Sequence, residues 1–339
     1  MQTTKDASIF THLRERCIET MEGHALERNP PRLSHSLVYI VIVNWNNHKD
    51  TISCLSSIAR LNCQNIKVIV CDNDSSDNSK FFLSRYISEQ RFSNISVVST
   101  GCNGGYAFGV NHGIGIALAD PNTAFIWILN NDTIVLPDTL FEMISKMNSD
   151  VKLGMVGSIL LNRDLPNQIQ SAGGSYNKYL GTTHHFFQGE LITSTLLKSI
   201  GNNDPDYLVG ASILITKACA MDLGPMNTAY FLYYEDVDWC KRAINKGYRL
   251  VVSEKSFVLH SEGASTGLSS RNITSFNANR MYKIYYRSCL LYSRIHHPKL
   301  YALIRLSMIL RMILPLLKAN HRKSIAALYV MLFVWPGQK

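Results

Sequence analysis

A chain of 339 residues, 46% hydrophobic and 17% charged, has the composition of a globular protein that can bury a substantial core in one large domain or two smaller ones. Its net charge of +9 is unevenly placed: residues 1–262 carry 22 basic and 25 acidic side chains, while twelve basic and no acidic residues follow Glu262. Those late basic residues are interleaved with Leu, Ile and Met, which speaks against a nucleic-acid partner, and the eight cysteines form no CxxC pair, which leaves a zinc site without support.

Residues 1–36 read as a polar extension without the apolar stretch of a signal peptide, so reduced thiols in a cytoplasmic protein are expected. Leu37–Val43 (LVYIVIV) is a short, continuous, β-branched run and predicts a buried parallel strand. A helical pattern covers 50–60. A second run, Ile66–Cys71, ends at Asp72-Asn73-Asp74 and is followed by helix-compatible sequence over 78–90. Ile95–Ser99 predicts a third strand, then comes a glycine-rich turn and a helix over 105–119. A fourth strand, Ala124–Leu129, ends at Asn130-Asn131-Asp132. This alternation predicts a doubly wound α/β sheet, in which ligands bind beyond the carboxyl ends of the strands.

Further along, strands are expected near 155–161, 208–216 and 249–253, with a helix over about 236–246. Ser307–Leu317 and Ser324–Trp335 are apolar stretches broken or flanked by Arg311, Pro315, Lys318, Arg322 and Lys323. Both fall short of the roughly 20 apolar residues that span a bilayer. They are expected to be basic-anchored interfacial helices or, failing that, the contacts of a helical subdomain or oligomer.

Polar clusters sit where the site of such a sheet belongs. Asn44 and Asn46 follow the first strand, and Asp72 and Asn73 end the second. Short polar side chains there suit ribose hydroxyls and a base edge, although turn formation alone would also select them. The turn at Asn103-Gly104-Gly105 permits close approach of a phosphate or sugar, but it is neither a GxGxxG nor a Walker A loop. Asp132, at the end of an apolar strand, must stay solvated, cap a helix or bind a cation; magnesium commonly uses one or two carboxylates plus substrate phosphate oxygens.

The stretch Phe231–Arg242 (FLYYEDVDWCKR) places Glu235, Asp236 and Asp238 after a run of aromatics. Acids at a helix start and bases at its end complement the helix dipole, and Glu235 or Asp236 could be the N-cap. One acid could equally serve as a catalytic base held rigidly by that helix.

In order and spacing, VIVNWN (41–46), VCDNDSSD (70–77), NGGYAFGVNHGI (103–114), LNNDTIV (129–135), GASILI (210–215), YYEDVDWCKR (233–242) and VLHSEGAST (258–266) resemble the family 2 inverting GT-A glycosyltransferases, especially their rhamnosyltransferase-like members. The resemblance runs over about 38–267. It implies a Rossmann-like, mixed but mainly parallel sheet flanked by helices, over 37–270; beyond it, the basic and apolar composition of 271–339 predicts a membrane-associating helical segment.

The resemblance also implies roles. Asn44, Asn46, Asp72, Asn73, Asn103, Gly104 and Asn131 would bind the donor, a nucleotide-diphosphate sugar. Asp132 takes the last place of the DxD-type motif and, with His260, would hold Mg2+ or Mn2+. Asn130 stands where a first Asp is common, which lowers the charge of that ligand set. Asp236 would be the base that deprotonates the acceptor hydroxyl, with Glu235 as alternative base or positioning group. Tyr234, Asp238 and Trp239 would lie on the acceptor side. The acceptor implied is a lipid-linked glycan or surface-polysaccharide precursor, such as that of an O-antigen, met at the cytoplasmic face of the inner membrane. A rival reading is a nucleotide-sugar-binding scaffold without catalysis, against which the retained Asp132 and Asp236 weigh.

Overall fold

The structure is a computed structural model that describes residues 36–63, 65–261 and 275–316. Nearly all of the N-terminal extension, the stretch Ser324–Trp335 and most of the segment after His260 in VLHSEGAST lie outside the described residues.

The four expected leading strands form: β1 (Leu37–Asn44), β2 (Ile66–Asp72), β3 (Ile95–Ser99) and β4 (Thr123–Leu129). Between them lie α1 (His48–Ile58), α2 (Ser79–Glu89) and α3 (Tyr106–Ala119). Then follow β5 (Thr133–Val135), α4 (Thr139–Met147), β6 (Leu153–Asn162), β7 (Ile169–Ser171), the hairpin β8 (Gly174–Asn177) and β9 (Thr182–His185), and α5 (Ser194–Gly201). The chain continues through β10 (Ser212–Thr216), α6 (Lys217–Leu223), α7 (Glu235–Asn245), β11 (Arg249–His260), α8 (Ser275–His296), a 3-10 turn (Pro298–Leu300) and α9 (Tyr301–Leu316).

The sheet runs β3-β2-β1-β4-β10-β6-β11-β5, with β7 beside β6. The order reverses at β1, whose neighbours β2 and β4 are both parallel to it. Six strands share that direction; β10, β5 and β7 oppose it. Asn44 pairs in register with Asp72, which sets two of the expected site residues side by side at the carboxyl edge.

Burial on both faces explains the unbroken apolar runs. Val38, Ile40 and Ile42 join a core beneath α1 and α4, while Tyr39 and Val41 join a second core beneath α3. Helix α3 lies close enough to β1 that a Cβ on Gly113 would sit 2.4 Å from Val41 Cγ1. The apolar run 208–216 becomes strand only from Ser212, because the Gly210 N–H is spent on a side chain of α7. Strand β11 runs on to His260 across an irregularity between Ser253 and Phe257.

Helices α8 and α9 share the main core through Cys289, Leu290, Leu291, Tyr292, Ile304 and Met308. No helix among the described residues is long and apolar enough to cross a membrane.

Candidate active site

At the reversal of strand order, Asn44 is fully enclosed and acts as a hub. Its Nδ2 donates to Asp72 Oδ2 at 2.8 Å and to Ser75 Oγ at 3.1 Å, and its Oδ1 accepts from Thr51 Oγ1 at 2.7 Å. Asn131 Nδ2 donates to the same Thr51 hydroxyl at 3.0 Å, so the ends of β1, β2 and β4 form one buried network. Asn46, exposed and in the left-handed region at φ 50°, accepts from Ser76 N at 2.7 Å and shapes the loop after Asp72. Asn44 therefore positions Asp72 rather than facing a ligand itself.

Asn73 is buried and ties the glycine turn to the sheet. Its Nδ2 donates to Asn103 Oδ1 at 3.1 Å and to Gly105 O at 3.0 Å, and Thr100 Oγ1 donates to its Oδ1 at 3.0 Å. Gly105 has φ +90°, and a Cβ there would stand 2.3 Å from Phe231 O. That carbonyl accepts from Tyr106 N at 2.9 Å, which joins the turn to the segment leading into α7.

Beyond β4, Asp132 and His260 converge from different strands. His260 Nε2 lies 3.3 Å from Asp132 Oδ1, and His260 Nδ1 lies 2.8 Å from Gln170 Oε1. An amide oxygen can only accept, so Nδ1 carries a proton, and in the neutral ring Nε2 keeps its lone pair. Asn130 Nδ2, 3.4 Å from Nε2, is placed to donate to that lone pair. Asp132 Oδ1 and Asn130 Oδ1 are buried without hydrogen-bond partners. A carboxylate oxygen and an imidazole lone pair facing each other call for a cation between or beside them, and this donor set fits a divalent metal. Among the described residues no group of three or more His, Cys, Asp or Glu side chains could hold one. A metal here would draw its remaining ligands from a diphosphate or water.

Helix α7 begins after Tyr233 and Tyr234, both left-handed at φ 68° and 71°, a conformation that costs a bulky residue about 1–3 kcal/mol. Packing sustains it: Tyr234 is buried against Tyr285 and Tyr292 of α8. The turn presents Glu235 and Asp236 at the helix N-terminus. Asp236 Oδ2 accepts from Gly210 N and Oδ1 from Val237 N, each at 2.8 Å. Burial nevertheless pushes the Asp236 carboxyl above its usual range. Burial and the neighbouring Asp236 charge push Glu235 much further, and its Oε2 has no partner. Within this pair Asp236 ionises first, because two backbone N–H groups stabilise its charge.

Tyr106, the residue after the glycine turn, bonds the segment that holds Asp236. Its hydroxyl donates to Gly210 O at 3.0 Å, on the same residue whose N–H holds Asp236. Burial raises its pKa, and the charges of Glu235, Asp236 and Asp132 all add to the effect. His185 at the end of β9 bonds Tyr207 OH at 3.1 Å, and its charge acts to lower the Asp236 pKa.

Two expected acceptor-side residues turn elsewhere. Asp238 is buried on the inner side of α7, with Oδ1 2.7 Å from His296 Nε2 and Oδ2 3.0 Å from Arg242 Nε. Trp239 is wholly buried and donates to Gly224 O at 3.1 Å. Tyr106, Gln170 and His185 went unnoticed in the sequence. Only Tyr106, next to the glycine turn, carried a signal that could have flagged it.

Comparison with known proteins bears on this arrangement. The model of the family described as "Glycosyl transferase family 2" matches residues 39–218, just over half the chain. A low-salt glycan biosynthesis hexosyltransferase of Haloferax volcanii is 24% identical over 260 residues, covering 71% of this chain and 78% of its own. An N-acetylglucosaminyl-diphospho-decaprenol L-rhamnosyltransferase of Mycobacterium tuberculosis is 24% identical over 236 residues, covering 63% and 72%. In fold, the chain superposes on a mannosyltransferase from Pyrobaculum calidifontis, solved with GDP-Man and Mn2+, with a TM-score of 0.56 at 13% identity over 97% of this chain and 96% of the other. With its GT-A-like sheet, a buried polar network at the strand reversal and the matched family model, this chain belongs to glycosyl transferase family 2 and is rhamnosyltransferase-like.

Proposed function

We propose that the protein is an inverting transferase that moves a sugar from a nucleoside-diphosphate sugar to a hydroxyl of a lipid-linked glycan precursor at the cytoplasmic face of the inner membrane. Asp236 carries the reading. Each of its oxygens accepts one backbone hydrogen bond and keeps a lone pair, and burial raises its basicity above that of a solvated carboxylate. The acceptor oxygen attacks the anomeric carbon and passes its proton to Asp236 as the bond to the diphosphate oxygen breaks. The leaving diphosphate keeps the electron pair. A divalent cation held by Asp132 and His260 would supply positive charge for that group. Asp72, fixed by Asn44 and Ser75, together with Asn73 and the Asn103–Gly105 turn, would hold the nucleoside and diphosphate. One displacement with one base inverts the anomeric centre and needs no covalent enzyme intermediate.

Rhamnose as the sugar and a polyprenyl diphosphate glycan as the acceptor are supported by the name of the mycobacterial relative. The test pairs dTDP-rhamnose with N-acetylglucosaminyl-diphospho-polyprenol and reads the anomeric configuration of the product by NMR. Asp236→Asn should lower turnover by about 10²–10⁴-fold while donor still shifts the melting temperature. Full turnover in that variant would remove Asp236 as base. Donor binding without turnover in the unmodified protein, across a panel of nucleotide sugars, would favour the scaffold reading.

A further inference from the structure

Helix α9 hides Ile304 and Met308 in the core and leaves Leu303, Leu306 and Leu310 exposed at 48%, 52% and 53%. Their i, i+3, i+7 spacing makes one stripe along the helix. The tip of the β8–β9 hairpin docks at the edge of that stripe: Ser307 Oγ donates to Leu180 O at 3.1 Å, and the Arg311 guanidinium donates to the same carbonyl. The tip adds Tyr179 and Leu180, exposed at 55% and 43%. Five exposed apolar side chains from two elements are thus drawn together. Around them in sequence stand Lys178, Lys299, Arg305 and Arg311, and residues 275–316 contain no acidic residue. Isolated exposed leucines are ordinary, but a joined apolar stripe edged along the sequence by charges of one sign is not.

We propose that this face, Leu303, Leu306 and Leu310 with Tyr179 and Leu180, seats on an anionic phospholipid surface, the leucines entering the acyl boundary and the basic residues meeting headgroups. Charge decides among the occupants. The segment 317–339 also carries basic residues and no acidic one, and a second copy would bring the same positive rim, so either would set like charge against like. An anionic lipid surface complements both the stripe and its rim. Strand β9 (Thr182–His185) leads from the hairpin tip to His185, whose charge acts on Asp236, and the five steps from Leu180 to His185 span at most roughly 16 Å. This inference deepens the proposal of a lipid-linked acceptor, and its test does not depend on the reaction.

The experiment is flotation of the full chain with vesicles of phosphatidylcholine alone or mixed with phosphatidylglycerol, at low and high salt. The chain should float with the anionic vesicles, and less so at high salt. The combined Leu303→Gln, Leu306→Gln and Leu310→Gln variant should lose at least about tenfold in vesicle partition, with thermal unfolding and turnover of a water-soluble acceptor analogue unchanged. A full chain that floats with neither vesicle overturns the proposal, as does a triple variant that floats like the parent. So does retention by the triple variant together with loss by Leu328→Gln and Leu332→Gln, which would put the contact in the C-terminal segment. A triple variant that abolishes a concentration-dependent dimer yet still binds vesicles would assign the face to a second copy instead. Absence of turnover with every donor would defeat the enzymatic reading and leave the flotation result standing.

Discussion

Gln170 Oε1 stands 2.8 Å from His260 Nδ1, and this contact between residues 90 positions apart decides which imidazole nitrogen faces Asp132. With the proton fixed on Nδ1, the Nε2 lone pair is committed to the cleft. Gln170→Leu removes the acceptor and frees the ring to adopt the other tautomer or to turn. Affinity for Mn2+ in the presence of a nucleoside diphosphate should fall by about 10–100-fold, the usual effect of losing such an outer partner. Gln170→Glu, which keeps an acceptor at that position, should retain it. Calorimetric titration of Mn2+ into each variant reads the difference, and equal affinities in all three proteins would deny Gln170 this part.

Glu235 should make stability fall as pH rises. Its folded-state pKa lies well above the ordinary 4.5 because the carboxyl is buried beside Asp236. A raised folded pKa means that folding takes up a proton between the unfolded and folded values. The stabilisation is complete below the unfolded value and is lost as pH climbs through the folded one. The slope is at most about 1.4 kcal/mol per pH unit for one proton. Glu235→Gln cannot ionise, so its advantage over the parent should grow from pH 5 upward. Urea unfolding at a series of pH values measures it, and parallel curves would show that Glu235 ionises as freely folded as unfolded.

Gly105 is a position where an added methyl has nowhere to go. At φ +90°, with Phe231 O 2.3 Å from the Cβ position, alanine meets both backbone strain and a carbonyl that already accepts from Tyr106 N. The strain alone costs about 1–3 kcal/mol. Gly105→Ala should therefore lower stability. It should also weaken donor binding, because the Gly105 carbonyl and Asn103 side chain are the partners of Asn73. Gly115 of α3, the helix that follows, with nothing within 4 Å of its Cβ position, supplies the control: alanine there should be tolerated in both assays.

Much of this arrangement was legible in the chain, and the rest was hidden for a definable reason. Strands β1, β2 and β4 are largely apolar on both faces and so announce themselves as runs, and their polar ends mark the candidate site. Strands β5, β7, β8 and β9 are three or four residues long, and three of them are polar (IQS, GSYN, TTHH), too short for any period to emerge. The carboxylates at 235, 236 and 238 look alike in sequence because what separates them arrives from afar. Gly210 N–H reaches Asp236 across 26 positions, and His296 reaches Asp238 across 58. Asp132 and His260 were visible as a pair, but Gln170, which bonds the histidine, sits on a three-residue strand with no motif around it.

Asp238 supplies the sharpest contrast with Asp236, two residues away. Its carboxylate is buried, with His296 of α8 on one oxygen and Arg242 on the other, and Tyr230 OH at 3.4 Å from Oδ1. The group therefore fastens α8 to α7, and through α8 it supports the packing of Tyr234 that holds the left-handed turn before Glu235. Asp238→Ala leaves the Arg242 and His296 partners without their carboxylate and should cost about 3 kcal/mol, at the lower edge for a broken buried pair because Arg242 is partly exposed. Turnover per folded molecule should fall far less than in Asp236→Asn, since the Asp238 carboxylate is buried and charge-paired with Arg242 and His296. Denaturant unfolding gives the first quantity, and kcat measured well below the unfolding transition gives the second. A kcat loss matching that of Asp236→Asn, with unfolding unchanged, would make Asp238 a participant in the chemistry instead of the clasp between the two helices.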